Sequence, residues 1–143
     1  MAVDISTRIR GKKVPARTLK KKAERILQIL KQDRLELSLA LVGNREIRQL
    51  NAAYRKKDEP TDVLSFPAGD HLAGGAKILG DVVISVDQAD KQAAKAKRSR
   101  EDELEILLIH GILHLLGYDH ERSAKEARIM REMEKKILRA LCE

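Results

Sequence analysis

Three histidines fall within one eleven-residue stretch, His110-Gly-Ile-Leu-His114-Leu-Leu-Gly117-Tyr-Asp-His120. His110 and His114 are four residues apart, so on a helix their imidazoles project from one face, a turn apart. Gly117 suits the left-handed position that ends a helix, which lets the chain double back and swing His120 toward the other two. Neutral imidazoles converging on one point are ligands for a transition metal, and zinc is the usual occupant. Three protein ligands would leave one tetrahedral position open, as at catalytic rather than structural zinc sites. Water at that position has its pKa lowered toward ~7 and becomes a nucleophile that needs no carboxylate base.

A histidine inside an apolar helix is more often a hydrogen-bonded core residue than a ligand. Here three of the chain's four histidines share this spacing, which favours the metal. The pattern H-x-x-x-H-x-x-G-x-x-H matches the zinc-binding segment of the metzincin peptidases, which carry a general-base glutamate directly after the first histidine. In this chain that place is Gly111. The nearest upstream acid on the same face is Glu103, ~10 Å away along the helix axis. The ligands of a peptidase are present without its base, which argues against proteolysis. Asp119, beside His120, has two equal readings: it orients a ligand imidazole, or it caps the final helix.

The elements that must position these residues are legible from periodicity and caps. The helix carrying His110 and His114 opens at Ser99, with Asp102 three residues on as a capping box. Leu104, Ile106, Leu107, Leu108, Ile109, Ile112, Leu113, Leu115 and Leu116 make it apolar nearly all round, the mark of a buried central helix. Ser123-Ala-Lys-Glu126 is a second capping box, opening a final helix to about Leu141. Before them, strands are expected at Val3–Ile9, Leu35–Val42, Val63–Phe66 and Ile78–Val86. Pro15 starts a helix whose apolar stripe is Ala16, Leu19, Ala23, Ile26 and Leu30. Asn44 is expected to cap a helix from about Arg45 to Tyr54, and Asp87 one running to about Arg98. Ala68 to Lys77, with three glycines and the spare histidine His71, reads as a loop able to shape a cleft. The fold expected is α+β: one domain over residues 1–143, with a mixed sheet of about four strands packed with about five helices.

The chain has 143 residues and a net charge of +7. From Met1 to Arg34 there are eleven Lys or Arg against three Asp or Glu, which suits a polyanion such as nucleic acid. With only Tyr54, Phe66 and Tyr118 as aromatics, base-stacking platforms are not expected, and RNA contact should be mostly to phosphate. No apolar run approaches the ~20 residues that span a bilayer, so no membrane role is expected. The one cysteine, Cys142, excludes an internal disulfide and fits a reducing cytoplasm.

The histidine segment resembles the signature of the YbeY family of bacterial rRNA maturation factors, which are metal-dependent endoribonucleases. Two further stretches carry the same resemblance: Asn51-Ala-Ala-Tyr54-Arg55-Lys-Lys-Asp-Glu-Pro60-Thr-Asp62-Val-Leu-Ser65-Phe-Pro67 and Leu79-Gly80-Asp81-Val-Val-Ile-Ser85. Together the three span roughly Asn51 to Glu121. The resemblance implies one zinc ion held by His110, His114 and His120, and a functionally important arginine at Arg55. It also implies single-strand RNA cleavage in processing of the small-subunit rRNA 3′ end and in ribosome quality control. Implied partners are rRNA, small ribosomal subunit components and an assembly GTPase.

Arg55 makes physical sense as a phosphate clamp, since its planar fork can hold the scissile phosphate and offset charge in the transition state. The bland reading is that Arg55, Lys56 and Lys57 only complement the C-terminal dipole of their helix. Asp62, Ser65 and Asp81 either orient the site or fix the fold. Two other functions remain open at this point: an rRNA-binding assembly factor with a structural zinc, and a zinc-dependent peptidase weakened by Gly111.

Overall fold

A computed structural model describes residues 3–68 and 78–142. The chain runs β1 (Val3–Thr7), α1 (Ala16–Ile29), β2 (Glu36–Val42), α2 (Asn44–Arg55), β3 (Val63–Pro67), β4 (Ile78–Ser85), α3 (Val86–Ala96), α4 (Arg100–Leu115) and α5 (Ala124–Leu141). The four strands form one mixed sheet in the order β1-β2-β4-β3. β1, β2 and β4 are parallel, and β3 closes one edge antiparallel to β4. This is the α+β domain, with four strands and five helices among the described residues, that the sequence pattern implies.

Both faces of the sheet are covered. Leu37, Leu39 and Leu41 of β2 and Val82 and Ile84 of β4 point to one side, where they meet α1, α4 and α5 in the larger core. Alternation puts Ala40, Val42 and Val83 on the other side, where Ile47 of α2 packs against them. α4 is the central helix: Leu104, Leu108 and Ile112 are fully buried. Its apolar circumference exists because the sheet, α1, α3 and α5 all pack on it.

Caps held where they were local and moved where tertiary contacts competed. The Asp102 N–H donates to Ser99 Oγ at 3.1 Å, and the Glu126 N–H to Ser123 Oγ at 3.1 Å. Asp87 does not cap α3. The strand runs straight into the helix, and Ser85 accepts from the Gln88 N–H at 3.2 Å instead. The Asp87 carboxylate is taken by Lys12 at 2.6 Å and by the Asn44 N–H at 2.8 Å. Asn44 likewise is the first helical residue of α2 rather than its cap, and its Oδ1 accepts from Ser85 Oγ at 2.8 Å. β1 ends at Thr7, short of Ile9, which packs against the core instead. No helix among the described residues is long and apolar enough to cross a membrane.

Candidate metal centre

The site is built where α4 presses against the edge of the sheet. A Cβ on Gly111 would lie 2.7 Å from Val82 Cγ1 and 3.2 Å from Val63 Cγ2, so only glycine permits the approach. On β3 the Ser65 hydroxyl donates to the Gly111 carbonyl at 2.9 Å and holds strand and helix together. Position 111 therefore faces the sheet at close quarters, with no room for a glutamate. The missing peptidase base is a packing requirement of this fold.

One turn later the helix ends as its glycine predicts. Gly117 has φ +97°, the Tyr118 N–H donates to the Leu113 carbonyl at 3.1 Å, and the Gly117 N–H donates to the His114 carbonyl at 3.0 Å. That pair of bonds is a Schellman motif. It reverses the chain and brings His120 back over the helix end. The ring centroids of His110 and His114 lie 4.5 Å apart, and His120 stands 5.1 and 5.4 Å from them.

Each imidazole offers a nitrogen within 4.8 Å of the others, a group that can hold a metal ion. His110 Nε2 and His114 Nε2 are 3.0 Å apart, close to the ~3.3 Å expected for two nitrogens on one tetrahedral zinc. His110 and His114 are half-buried and His120 is exposed, which leaves the group open to solvent on one side.

The residue that sequence reasoning missed is Glu134 of α5. Its Oε2 lies 3.2 Å from His110 Nδ1. A carboxylate there takes the Nδ1–H, which leaves the Nε2 lone pair aimed at the other imidazoles, the usual support of a metal-bound histidine. A phase signal existed: Glu134 falls four residues after Met130 and three before Ile137, the two buried residues of α5. Burial lowers the pKa of His114, and the neighbouring His110 and His120 lower it further. A neutral imidazole is the form a metal requires.

Asp119 goes to the turn rather than to an imidazole. It accepts from the Glu121 N–H at 2.8 Å, a bond that holds its carboxyl below the usual range, and it pairs with Arg122 at 3.3 Å. Arg55 is the exposed last residue of α2. Its charge is the smallest of the causes that lower the pKa of His114. It is also the basic residue of the last turn, as the dipole reading has it.

Glu103 is far up α4, buried, with Arg98 Nε 3.2 Å from its Oε1 but no well-directed hydrogen bond on that oxygen. Asp62 fixes the fold, accepting from the Val63 N–H at 2.8 Å and from Gln92 Nε2 at 3.2 Å. Asp81 is exposed and directly opposite Ser38 and Phe66 in the sheet. His71 and residues 69–77 of the expected loop lie outside the described residues.

A family profile described as Endoribonuclease YbeY matches residues 4–142. The chain belongs to the YbeY family. A protein of Aquifex aeolicus named Endoribonuclease YbeY is 47% identical over 137 residues, covering 96% of this chain and 91% of its own length. A Sulfurihydrogenibium relative of the same name is 41% identical over 140 residues, covering 97% of this chain and 92% of its own length. The solution structure of a Thermotoga maritima protein matches the fold with a TM-score of 0.65 at 34% identity, covering 94% of this chain and 85% of that one. Nearly the whole chain therefore shares the family's pattern, the basic N-terminal region included.

Proposed function

We propose that this member of the YbeY family is a zinc-dependent endoribonuclease. It cuts single-stranded RNA, matures the 3′ end of small-subunit rRNA and takes part in ribosome quality control. The observation that carries this reading is the open group of three imidazoles, one of them backed by Glu134, in a chain whose relatives bear the name endoribonuclease. His110, His114 and His120 would hold the ion. When bound, zinc supplies a Lewis acid and an acidified water, the two things phosphodiester hydrolysis needs most.

The chain's own residues do the rest. Glu134 holds the proton on His110 Nδ1 and keeps that ring in one tautomer. Burial lowers the pKa of His114 and so favours its neutral form. Arg55 is the one catalytic residue proposed outside the metal ligands. Its fork binds the scissile phosphate and offsets the charge that grows on its oxygens. The close packing of Gly111 on Val82 disfavours a peptidase, since no general base can be carried there. Small ribosomal subunit components and an assembly GTPase are the proposed partners, in the cytoplasm.

The test is metal analysis of native protein alongside cleavage of an end-labelled single-stranded RNA by the same sample. Wild type should hold one zinc per chain and cut the RNA, and Arg55→Glu should keep its zinc while losing cleavage. Full cleavage by metal-free His114→Ala protein would refute the reading, and unchanged cleavage by Arg55→Glu would remove Arg55 from the site.

A further inference from the structure

The charge of this protein has an address. α1 carries five Lys or Arg against one Glu, and α5 carries six against three. Outside these two helices the chain holds eighteen cations and eighteen acids, so the whole net charge of +7 resides on them. The sequence separates the two helices by nearly a hundred residues, yet the fold packs them against each other.

Their cations are also in phase. Arg17, Lys21 and Arg25 are spaced by four and form one exposed line on α1. Arg128, Arg131, Lys135 and Arg139 form another on α5, each exposed, in a row ~16 Å long. Among the described residues the ion pairs involve just one cation of these helices, Lys22, which meets Glu105. Of the three acids on α5, Glu126 is paired with Arg122, Glu134 is turned to His110, and exposed Glu132 makes no ion pair among the described residues. The ridges therefore present cations that the protein itself does not neutralise.

We infer that the outer faces of α1 and α5 form a docking surface for the phosphate backbone of RNA, beside the candidate metal centre. This rests on the endoribonuclease reading for its choice of polyanion. Two rows on neighbouring helices, ~8–10 Å apart between axes, are too broad for a small anion and suit an extended chain of phosphates. The ridges hold no aromatic ring, so they bind backbone without reading bases. A membrane surface fits less well, because the apolar faces of both helices are spent in the core and Ile129 is the one large exposed apolar side chain on either. The surface adjoins the site directly: Arg131 and Lys135 flank Glu134 along a groove of about 200 Å³ between α4 and α5. RNA lying on the ridges would be delivered to the imidazoles.

The experiment measures binding of a fluorescent RNA hairpin with a single-stranded 3′ tail, in EDTA, as KCl rises. A ridge variant carries Arg17→Gln, Lys21→Gln, Arg25→Gln, Arg128→Gln, Lys135→Gln and Arg139→Gln. A control variant loses the same charge elsewhere, through Arg10→Gln, Lys13→Gln, Arg34→Gln, Arg45→Gln, Lys91→Gln and Lys95→Gln. The ridge variant should bind roughly 10²-fold more weakly at about 0.15 M salt, with a markedly shallower salt slope, because each lost phosphate contact removes ~0.7–0.9 from it. The control variant should lose less than a tenth of that.

Equal losses in the two variants, or none in the ridge variant, would overturn the surface. So would tighter binding of wild type to vesicles of anionic lipid than to the hairpin. With EDTA present no metal chemistry enters the measurement. Ridge-dependent binding by a protein that cuts no RNA would therefore refute the endoribonuclease reading alone, and ridge-independent binding by an active nuclease would refute the surface alone.

Discussion

His110 and His114 stand on a helix anchored along its length by distant segments, whereas His120 stands on an exposed turn held by its own local bonds. α4 is pinned at its start by Arg100, whose guanidinium meets the Asp90 carboxylate at 2.7 and 3.0 Å and the Lys13 carbonyl at 2.6 Å. Midway it is fixed by the Gly111 approach and the Ser65 bond, and at the site itself by Glu134. The turn has the Schellman bonds, the Asp119 acceptor and an Arg122 donor to the Gly117 carbonyl at 2.9 Å. One pair of imidazoles is preorganised by tertiary structure. The third is delivered by a chain reversal that needs only a few consecutive residues.

Removing a helix-borne imidazole should therefore do more damage than removing the turn-borne one. His114→Ala should weaken metal binding by roughly 10³-fold and abolish RNA cleavage, and His120→Ala should weaken it about tenfold less, because an intact imidazole pair remains. Chelator competition on the two variants decides it, and equal losses would erase the distinction. Glu134→Ala should lower metal affinity by about 10–100-fold while leaving the metal-free protein folded. Glu134→Gln, whose amide oxygen can still accept from Nδ1, should recover part of that loss. Cobalt absorption spectra of both would report the change without reference to activity.

Backbone substitutions separate the regions more gently. Gly111→Ala forces a methyl onto Val82 and should cost about 1–3 kcal/mol in urea unfolding, through the helix anchor. Gly117→Ala meets no atom within 4 Å and should cost only about 1 kcal/mol, from the left-handed φ. The smallest effect belongs to the anchor farthest from the site. Asp87 is held by Lys12 and the Asn44 N–H, and Asp90 by Arg100 and then Lys12, and these bonds keep both carboxyls below their ordinary value of 3.8. Depressed folded-state values mean that this stability is present above 3.8 and is lost as pH falls through them. Lys12→Met should therefore be modestly less stable at neutral pH, and its gap to wild type should close as the solution is acidified below that value. A gap constant with pH would show that Lys12 acts through packing alone.

Much of the site could be read in the sequence because its determinants are short-range. The spacing of four, the helix-ending Gly117 and the Ser99 and Ser123 caps each involve residues within one or two turns of chain. Asp87 and Asn44 do not act as the caps their local sequence offers, for the opposite reason. Each is a good cap in isolation, but Lys12, Ser85 and Gln88 arrive from elsewhere in the fold and take their oxygens. Glu134 was hidden in a helix full of charges, where one glutamate resembles the next until a partner is known.

The sequence by itself determined which imidazoles can meet, the helix that carries two of them and the turn that returns the third, because local geometry and φ preferences dictate those. It also placed the chain in its family. The tertiary structure alone decided that Gly111 faces a strand rather than a metal and that the Glu134 carboxylate meets His110. It likewise packed α1 against α5, the two helices that carry the net charge. Each of these is a contact between distant segments, and no residue's own preferences carry the information about where a distant segment will pack.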